Sequence, residues 1–445
     1  METDGIRGKA NYYPLDVQTI VRIGRALAEY TKITTKPNPN RSYKVIIGKD
    51  TRRSGYMIEQ ALTSGFLSRG VDAITIGPIP TPGLSHLVQS FALDLGIQIT
   101  ASHNPASDNG IKVFNKNGTK LCDEEELLVE RLLEKDFPDQ SVIGRAKRIE
   151  DVSGRYIEFI KSTVDEVSLQ GMKIVVDCAN GAAYKVAPTV FEELGAKVIK
   201  IGVEPDGYNI NHNCGSLHPE AVQKLVIKEK ADLGIALDGD ADRVIMVDEK
   251  GNIIDGDYIM ALVAKDLKEK GELNKNSVVI TEYSNKALDA YLTKIGINVE
   301  KVPNGDRAVV NLCKKRGYNF GGERTGHFIF LDHTDTGDGT LSALQVLKII
   351  KEKKKKLSEL AVTFEKYPQK LIDLPVKKRI PLKDIPEIQE LLVKTNTRLG
   401  MKGRVFLRYS GTEDLLRILV ESNNKKELDK LGEKFVKIAD KILNS

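Results

Sequence analysis

"YKVIIGKDTRRSGYMIEQALTSGFLSRGVDAITIG" occupies residues 43–77, and its pattern decides the fold. The β-branched run "YKVIIG" (43–48) is followed by an amphipathic stretch from Ile58 to Ser68, then by a second apolar run, "DAITIG" (72–77). Strand, helix and strand in that order make the βαβ unit of a parallel, helix-covered sheet. Working outward, "PTPG" opens another helix and "LGIQIT" (95–100) supplies a third strand.

The same rhythm restarts at "MKIVVDCANGA" (172–182), with the helix "AAYKVAPTVFEELG", the strand "AKVIKIG" and, after a further helix, "ADLGIALD" (231–238). It restarts again at "SVVITEY" (277–283), with "NVEKVP" next. The tail differs: "GRVFLRYSGTEDLLRILVES" (403–422) reads as two strands about a Ser-Gly-Thr turn, followed by the helix "KKELDKLGEKFVKIADKIL". The expected class is therefore α/β, with three consecutive α/β domains (1–150, 151–255, 256–365) and a C-terminal α+β domain (366–445). A chain of 445 residues fits that division, at roughly 100–200 residues per domain.

Composition narrows the functional classes. Lys and Arg number 67 against 62 Asp and Glu, a net charge of only +5. The one dense run, "KEKKKK" (351–356), has no interleaved aromatics and reads as a solvated helix end, not a nucleic-acid surface. Cys122, Cys178, Cys214 and Cys313 are far apart without a CxxC pair, which argues against a zinc site or a disulfide framework and fits a reducing compartment. "METDGIRGKANYY" lacks the apolar core of an export signal, and no run of 18 apolar residues occurs. A cytoplasmic protein without membrane or nucleic-acid partners is expected.

Four loops carry chemistry, each at a strand end, where open α/β sheets place their ligands. In "ITASHNPASDNGIKVF" (99–114) Ser102 stands beside His103. Adjacent residues on an extended segment point to opposite sides, so His103 is expected to be badly placed to deprotonate Ser102, and the G-x-S-x-G elbow of hydrolases is missing. A polar turn is the plain alternative. In "LDGDADRV" (237–244) an apolar strand ends in Asp238, Asp240 and Asp242, spaced by small residues. Three crowded carboxylates call for a hard divalent cation, and Mg²⁺ leaves coordination positions for a phosphate oxygen.

"GGERTGHF" (321–328) offers Glu323, Thr325 and His327 as acceptor, hydroxyl and imidazole for a polyol, although a surface turn explains it equally well when it is read alone. "RYSGTEDLLR" (408–417) offers Arg408, Ser410, Thr412 and backbone N–H groups around Gly411, a donor set suited to a dianionic phosphate; a hairpin turn with a surface Arg is the alternative. No Walker A sequence is present, so nucleotide binding is not expected. Together the four loops describe phosphoryl transfer on a phosphosugar, for which Ser102 is a candidate carrier.

At this point the chain resembles the α-D-phosphohexomutase family over essentially its whole length. "TDGIRG" (3–8), "GKDTRRSG" (48–55), "TASHNP" (100–105), "DGDADR" (238–243), "GGERTGH" (321–327) and "SGTE" (410–413) stand in family order. "VVDCANGAA" (175–183), "EPDGYNINHNCGS" (204–216) and "TGDG" (336–339) look most like the bacterial branch that acts on glucosamine phosphates. The resemblance implies four domains around a central cleft, the three α/β ones with mixed sheets, and a phosphoserine at Ser102. It implies a 1,6-bisphosphate intermediate and interconversion of glucosamine 6-phosphate and glucosamine 1-phosphate, a precursor of UDP-N-acetylglucosamine and of cell wall. It further implies Mg²⁺ held by Asp238, Asp240, Asp242 and a phosphoserine oxygen, a hexosamine or hexose 1,6-bisphosphate as activator, and a homodimer.

Residue by residue, it assigns Glu323 and Thr325 to sugar hydroxyls and Arg408, Ser410, Gly411, Thr412 and Arg417 to the phosphate that is not transferred. Arg7, Lys112 and His327 fall near the reacting oxygens, with Lys112 or His327 as general acid or base. Arg243 and His103 neighbour the phosphoserine. The alternatives are a phosphoglucomutase or phosphomannomutase of the same family, and an inactive sugar-phosphate-binding homologue. Three departures stand out: the family usually has further residues, with a Phe-Gly pair, before "TDGIRG"; Arg324 and Thr325 replace the Gln and Ser common in the branch; and Tyr409 and Asp414 replace Pro. Asp414 would repel phosphate if it faced inward, so it is expected to face outward.

Overall fold

The computed structural model describes residues 5–36, 41–138, 140–164, 167–361, 363–410 and 414–444. Four sheets follow one another along the described residues. The stretch at 43–77 forms strands Lys44–Lys49 and Asp72–Pro78, paired in parallel, around helix Gly55–Leu67. Ile58, Leu62 and Phe66 recur at helical spacing and are buried on one face of that helix.

The first sheet is mixed, with strands in the order Ile6–Lys9, Asp108–Asn115, Leu95–Ile99, Lys44–Lys49, Asp72–Pro78, Ala146–Ile149. Asp108–Asn115 runs antiparallel to both of its neighbours. The second sheet orders Ile253–Ile254, Val244–Asp248, Leu233–Leu237, Lys173–Asp177 and Lys197–Ile201. The third orders Asn298–Val302, Ser277–Thr281, Phe320–Gly322 and Phe328–Phe330. In each, a strand at the end of the parallel run is followed by an antiparallel return. Those returns enclose the Ser102, Asp238 and Glu323 loops. The purely parallel rhythm read from residues 43–100 thus gives way to mixed sheets where the chemistry sits.

The fourth sheet has a strand, Gln369–Pro375, that the sequence pattern did not announce; it pairs with Leu415–Ser422, which also pairs with Gly403–Tyr409. Helix Lys425–Leu443 covers this sheet through Leu428, Leu431, Phe435, Ala439 and Leu443. Helix Gly339–Lys353 ends in a left-handed Lys354, so the lysine run is a helix end, as its composition suggested. No helix among the described residues is long and apolar enough to cross a membrane.

One apolar core runs continuously through the first three units, from Ile46 and Tyr156 through Val176 and Leu237 to Met260, Phe320 and Leu344. The fourth unit has its own core of Val376, Leu391, Val405, Ile418 and Phe435.

Candidate active site

Ser102 lies at the C-terminal end of strand Leu95–Ile99 and is buried, with a left-handed backbone (φ 53°). The extended geometry expected there is therefore wrong. The left-handed turn swings the two side chains together, and Ser102 Oγ comes within 3.2 Å of His103 Nδ1. Even so, His103 is no base for the serine. Arg243 Nη1 lies 3.2 Å from the same nitrogen, and a guanidinium only donates. Burial first, then the charges of Arg243 and Arg7, push His103 down to about 4, leaving it neutral. The hydroxyl proton goes instead to Asp238 Oδ2 at 2.8 Å.

The carboxylate triad is buried, and ligand oxygens of Asp238, Asp240 and Asp242 lie within 4.8 Å of one another. Lys112 Nζ reaches Asp240 Oδ2 at 2.6 Å and Asp242 Oδ2 at 3.1 Å. Burial, then the charges of Asp242 and Asp240, push Asp238 well above the usual carboxylate range. At Asp242 burial pulls the same way but is outweighed by Lys112 and then His327, so its carboxyl is held well below that range. Asp240 Oδ1 and Asp242 Oδ1 are buried without a hydrogen-bond partner among the described residues. An all-oxygen set with orphaned carboxylate atoms suits a hard divalent cation. The spacer Gly239 is required: a Cβ there would lie 2.5 Å from the Ser102 carbonyl oxygen.

His327 is buried between two carboxylates, with Nδ1 3.7 Å from Asp242 Oδ1 and Nε2 3.4 Å from Asp306 Oδ2. Burial alone would lower its pKa, but Asp242 and then Asp306 raise it above the ordinary value. A Cβ at Gly337 would lie 2.1 Å from Nε2, so the "TGDG" loop packs flat against the imidazole. Thr325 Oγ1 donates to Glu323 Oε2 at 2.9 Å, and Gly305 N donates to Glu323 Oε1 at 2.8 Å. Arg7, on strand Ile6–Lys9, pairs in register with Gly110 beside the serine loop.

Arg408 and Arg417 face each other across paired strands. Like charges directly opposite repel, which favours an anion between them. Arg408 stacks 5.0 Å over the ring of Tyr283 of the third unit, and Arg417 Nε lies 3.5 Å from Asp373 Oδ1. This pair stands on the sheet of the fourth unit, whereas the serine and triad stand at strand ends of the first and second. Ser410 is buried and closes its hairpin through N to Leu415 O at 2.8 Å, whereas Gly411 and Thr412 lie outside the described residues. Asp414 faces outward and pairs with Arg379 at 3.1 Å. Arg324 finds its partners in Asp255, with Nε–Oδ2 at 3.4 Å, and Gln369, with Nη1–Oε1 at 2.5 Å.

Three contributors escaped the sequence reading. Thr81 Oγ1 donates to Asp240 Oδ2 at 2.5 Å. Asp306, beside His327, is held by Lys120 Nζ at 2.5 Å. Arg52 is fully buried under the serine loop. Thr81 and Asp306 carry no local signal, since their partners are far away in sequence. Arg52 sat inside "GKDTRRSG", where a buried Arg is indistinguishable from a surface one.

Fold and donor set together define a phosphohexomutase-type phosphoryl-transfer enzyme. Family models match the chain in order: phosphoglucomutase/phosphomannomutase alpha/beta/alpha domain I over residues 1–139, domain II over 154–251, domain III over 255–367 and the C-terminal domain over 371–438. The phosphoglucosamine mutase of Geobacter sp. (strain M21) is 50% identical over 432 residues, covering 96% of this chain and 94% of that protein. That of Myxococcus xanthus is 51% identical over 428 residues, covering 95% and 92%. The crystal structure of a phosphoglucomutase/phosphomannomutase family protein from Burkholderia thailandensis superposes with a TM-score of 0.80 at 23% identity, covering 98% of this chain and 96% of that one. The chain belongs to the phosphoglucomutase/phosphomannomutase family.

Proposed function

We propose that the protein is an intramolecular phosphotransferase, an isomerase, that interconverts glucosamine 6-phosphate and glucosamine 1-phosphate. The observation that carries the reading is Ser102 Oγ at 2.8 Å from Asp238, inside a buried triad with two orphaned oxygens. The phosphoglucosamine mutase relatives, about half identical over nearly the whole chain, support the choice of substrate.

In this reading the Ser102 Oγ–phosphorus bond breaks as a bond forms to the free sugar hydroxyl, whose proton passes to the neutral form of Lys112 or of His327. The 1,6-bisphosphate turns over in the cleft and returns its other phosphoryl to Ser102. Glu323 and Thr325 take sugar hydroxyls; Arg408, Ser410, Gly411, Thr412 and Arg417 hold the idle phosphate. Arg7 and Arg243 supply positive charge beside the phosphoserine, with neutral His103 packed alongside. Asp238, Asp240 and Asp242 would hold Mg²⁺, which supplies neutralisation of the charge on the transferring group. A hexosamine or hexose 1,6-bisphosphate primes the serine. Domain limits at 1–150, 151–255, 256–365 and 366–445 place one chemical loop in each domain. A cytoplasmic homodimer feeding UDP-N-acetylglucosamine and peptidoglycan precursor synthesis completes the proposal.

The test is kcat/KM of the phosphorylated enzyme with Mg²⁺ on glucosamine, glucose and mannose 6-phosphates. Glucosamine 6-phosphate is expected to lead, with side activity on the others, because an amine-to-hydroxyl change alters few contacts. A lead for glucose or mannose would transfer the assignment to the phosphoglucomutase/phosphomannomutase branch. An intact mass without a phosphoryl adduct after incubation with glucose 1,6-bisphosphate would leave only a binding protein.

A further inference from the structure

The segments "EPDGYNINHNCGS" and "VVDCANGAA" supply none of the side chains assigned above, yet they lie against the serine loop from the second domain. Asn211 Nδ2 spends both of its hydrogens on that loop, donating to Ser102 O at 2.8 Å and to Asn104 O at 3.1 Å. From the first domain, Arg52 Nη2 donates to the same two carbonyls, at 3.0 Å and 2.8 Å. The rest of the Arg52 guanidinium is committed as well: Nη1 to Pro105 O and to Asp108 O at 3.1 Å, and Nε to Asp50 Oδ2 at 2.9 Å.

A left-handed backbone at a residue such as Ser102 costs on the order of 1–3 kcal/mol and persists only where its surroundings over-determine it. Two carbonyls gripped by four N–H groups from two domains do so. Asn211 is itself left-handed (φ 59°), a conformation that Asn tolerates, and its own N donates to Ala179 O at 2.9 Å. Beneath it, Asp177 accepts from Ala179 N and Gly215 N, both at 2.8 Å, joining the two segments into one platform.

We infer that Asn211, acting with Arg52, is a positioning residue for the phosphoryl-carrying serine. Reaching across from the domain that bears the triad, it fixes the carbonyls of Ser102 and Asn104 so that Oγ faces Asp238 in both half-reactions. The inference rests on the phosphoserine reading above. Among the described residues Asn211 hydrogen-bonds only backbone, that of the serine loop and of Ala179, and it packs against Gly239; its loss therefore slows transfer from and to Ser102 without changing how the sugar phosphate is held. A displacement of about 1 Å in a reacting group costs about a hundredfold in rate.

The test compares wild type with Asn211→Gly, which keeps the left-handed backbone and deletes the donor, and with Asn211→Asp, which keeps shape and places a carboxylate against two carbonyls. Each is assayed on the hexosamine or hexose phosphate that wild type turns over best. The rate of Ser102 phosphorylation by glucose 1,6-bisphosphate is followed by intact mass. In either folded variant, kcat and the serine phosphorylation rate are expected to fall at least about tenfold, with KM within about threefold and the larger loss in Asn211→Asp. Unchanged kcat, or a rise in KM with kcat intact, overturns the inference. A wild type inactive on glucosamine 6-phosphate but phosphorylated on Ser102 overturns only the substrate assignment. A wild type that accepts no phosphoryl group overturns both.

Discussion

One apolar core runs through the first three domains, beside a second core within the first, whereas the fourth buries its own and meets the third through hydrogen bonds and the edge-to-face rings of Tyr283 and Phe406. Arg404 donates to Glu282 O and to Ser284 O at 2.7 Å, Glu421 accepts from Lys286 N, and Asn285 Nδ2 donates to Tyr367 O at 3.0 Å. Close packing resists displacement, whereas a small set of hydrogen bonds at a boundary can be exchanged with water at modest cost. The difference teaches where rigidity is needed. Ser102, the triad, Lys112 and His327, which the proposed reaction would hold to fractions of an ångström, lie on the first three domains; Arg408 and Arg417, which would grip the distant phosphate, sit on the separately built domain.

Substitutions in the shared-core region are therefore expected to reduce kcat, and those in the fourth domain to raise KM. The largest effect is Ser102→Ala, which should lower kcat by at least about 10⁴-fold with an unchanged melting profile. Asp240→Asn should reduce kcat about a hundredfold or more, and chelation of divalent ions should abolish wild-type turnover until Mg²⁺ is restored. In the fourth domain, Arg417→Ala removes charge-assisted hydrogen bonds worth about 1.5–3 kcal/mol, so KM should rise about 10- to 100-fold while kcat changes less. Arg404→Ala should give a few-fold KM increase through looser docking of that domain. If Arg404→Ala lowered kcat as much as Asp240→Asn, the contrast between the two regions would fail.

The smallest effect is a pH dependence within the rigid region. Asp338 caps helix Gly339–Lys353 through Leu341 N at 2.9 Å and accepts from Tyr156 at 2.6 Å. Burial outweighs these bonds and raises its carboxyl from 3.8 to about 6. The folded state therefore binds the proton more tightly than the unfolded chain. Its stabilising contribution is full below about pH 4 and is lost as pH rises through about 6. The Tm of Asp338→Asn relative to wild type should be more favourable at about pH 7.5 than at about pH 4.5, as read by calorimetry.

The βαβ rhythm was legible because "YKVIIG" and "DAITIG" are apolar, β-branched strands flanking a helix of clear period. The antiparallel returns were not, since strands such as Val244–Asp248 and Phe328–Phe330 are too short and too evenly apolar to announce a direction. The triad was legible because three alternate carboxylates at the end of an apolar strand are rare without a ligand. The relation of Ser102 to His103 was misread because a left-handed non-glycine residue leaves no mark in sequence; it depends on Arg52 and Asn211, 50 residues before and 109 after it. Asp306 and Thr81 were invisible for the same reason.

The most direct measurement follows one phosphoryl group. Enzyme phosphorylated on Ser102 is mixed with glucosamine 6-phosphate and Mg²⁺, quenched within a single turnover, and both protein and sugar are weighed by mass spectrometry. The phosphoryl adduct should leave Ser102 as the 1,6-bisphosphate forms in equal amount, and Ser102→Ala should take up no adduct at all. Product that forms while the adduct stays on the protein, or an adduct carried by another residue, would contradict the account.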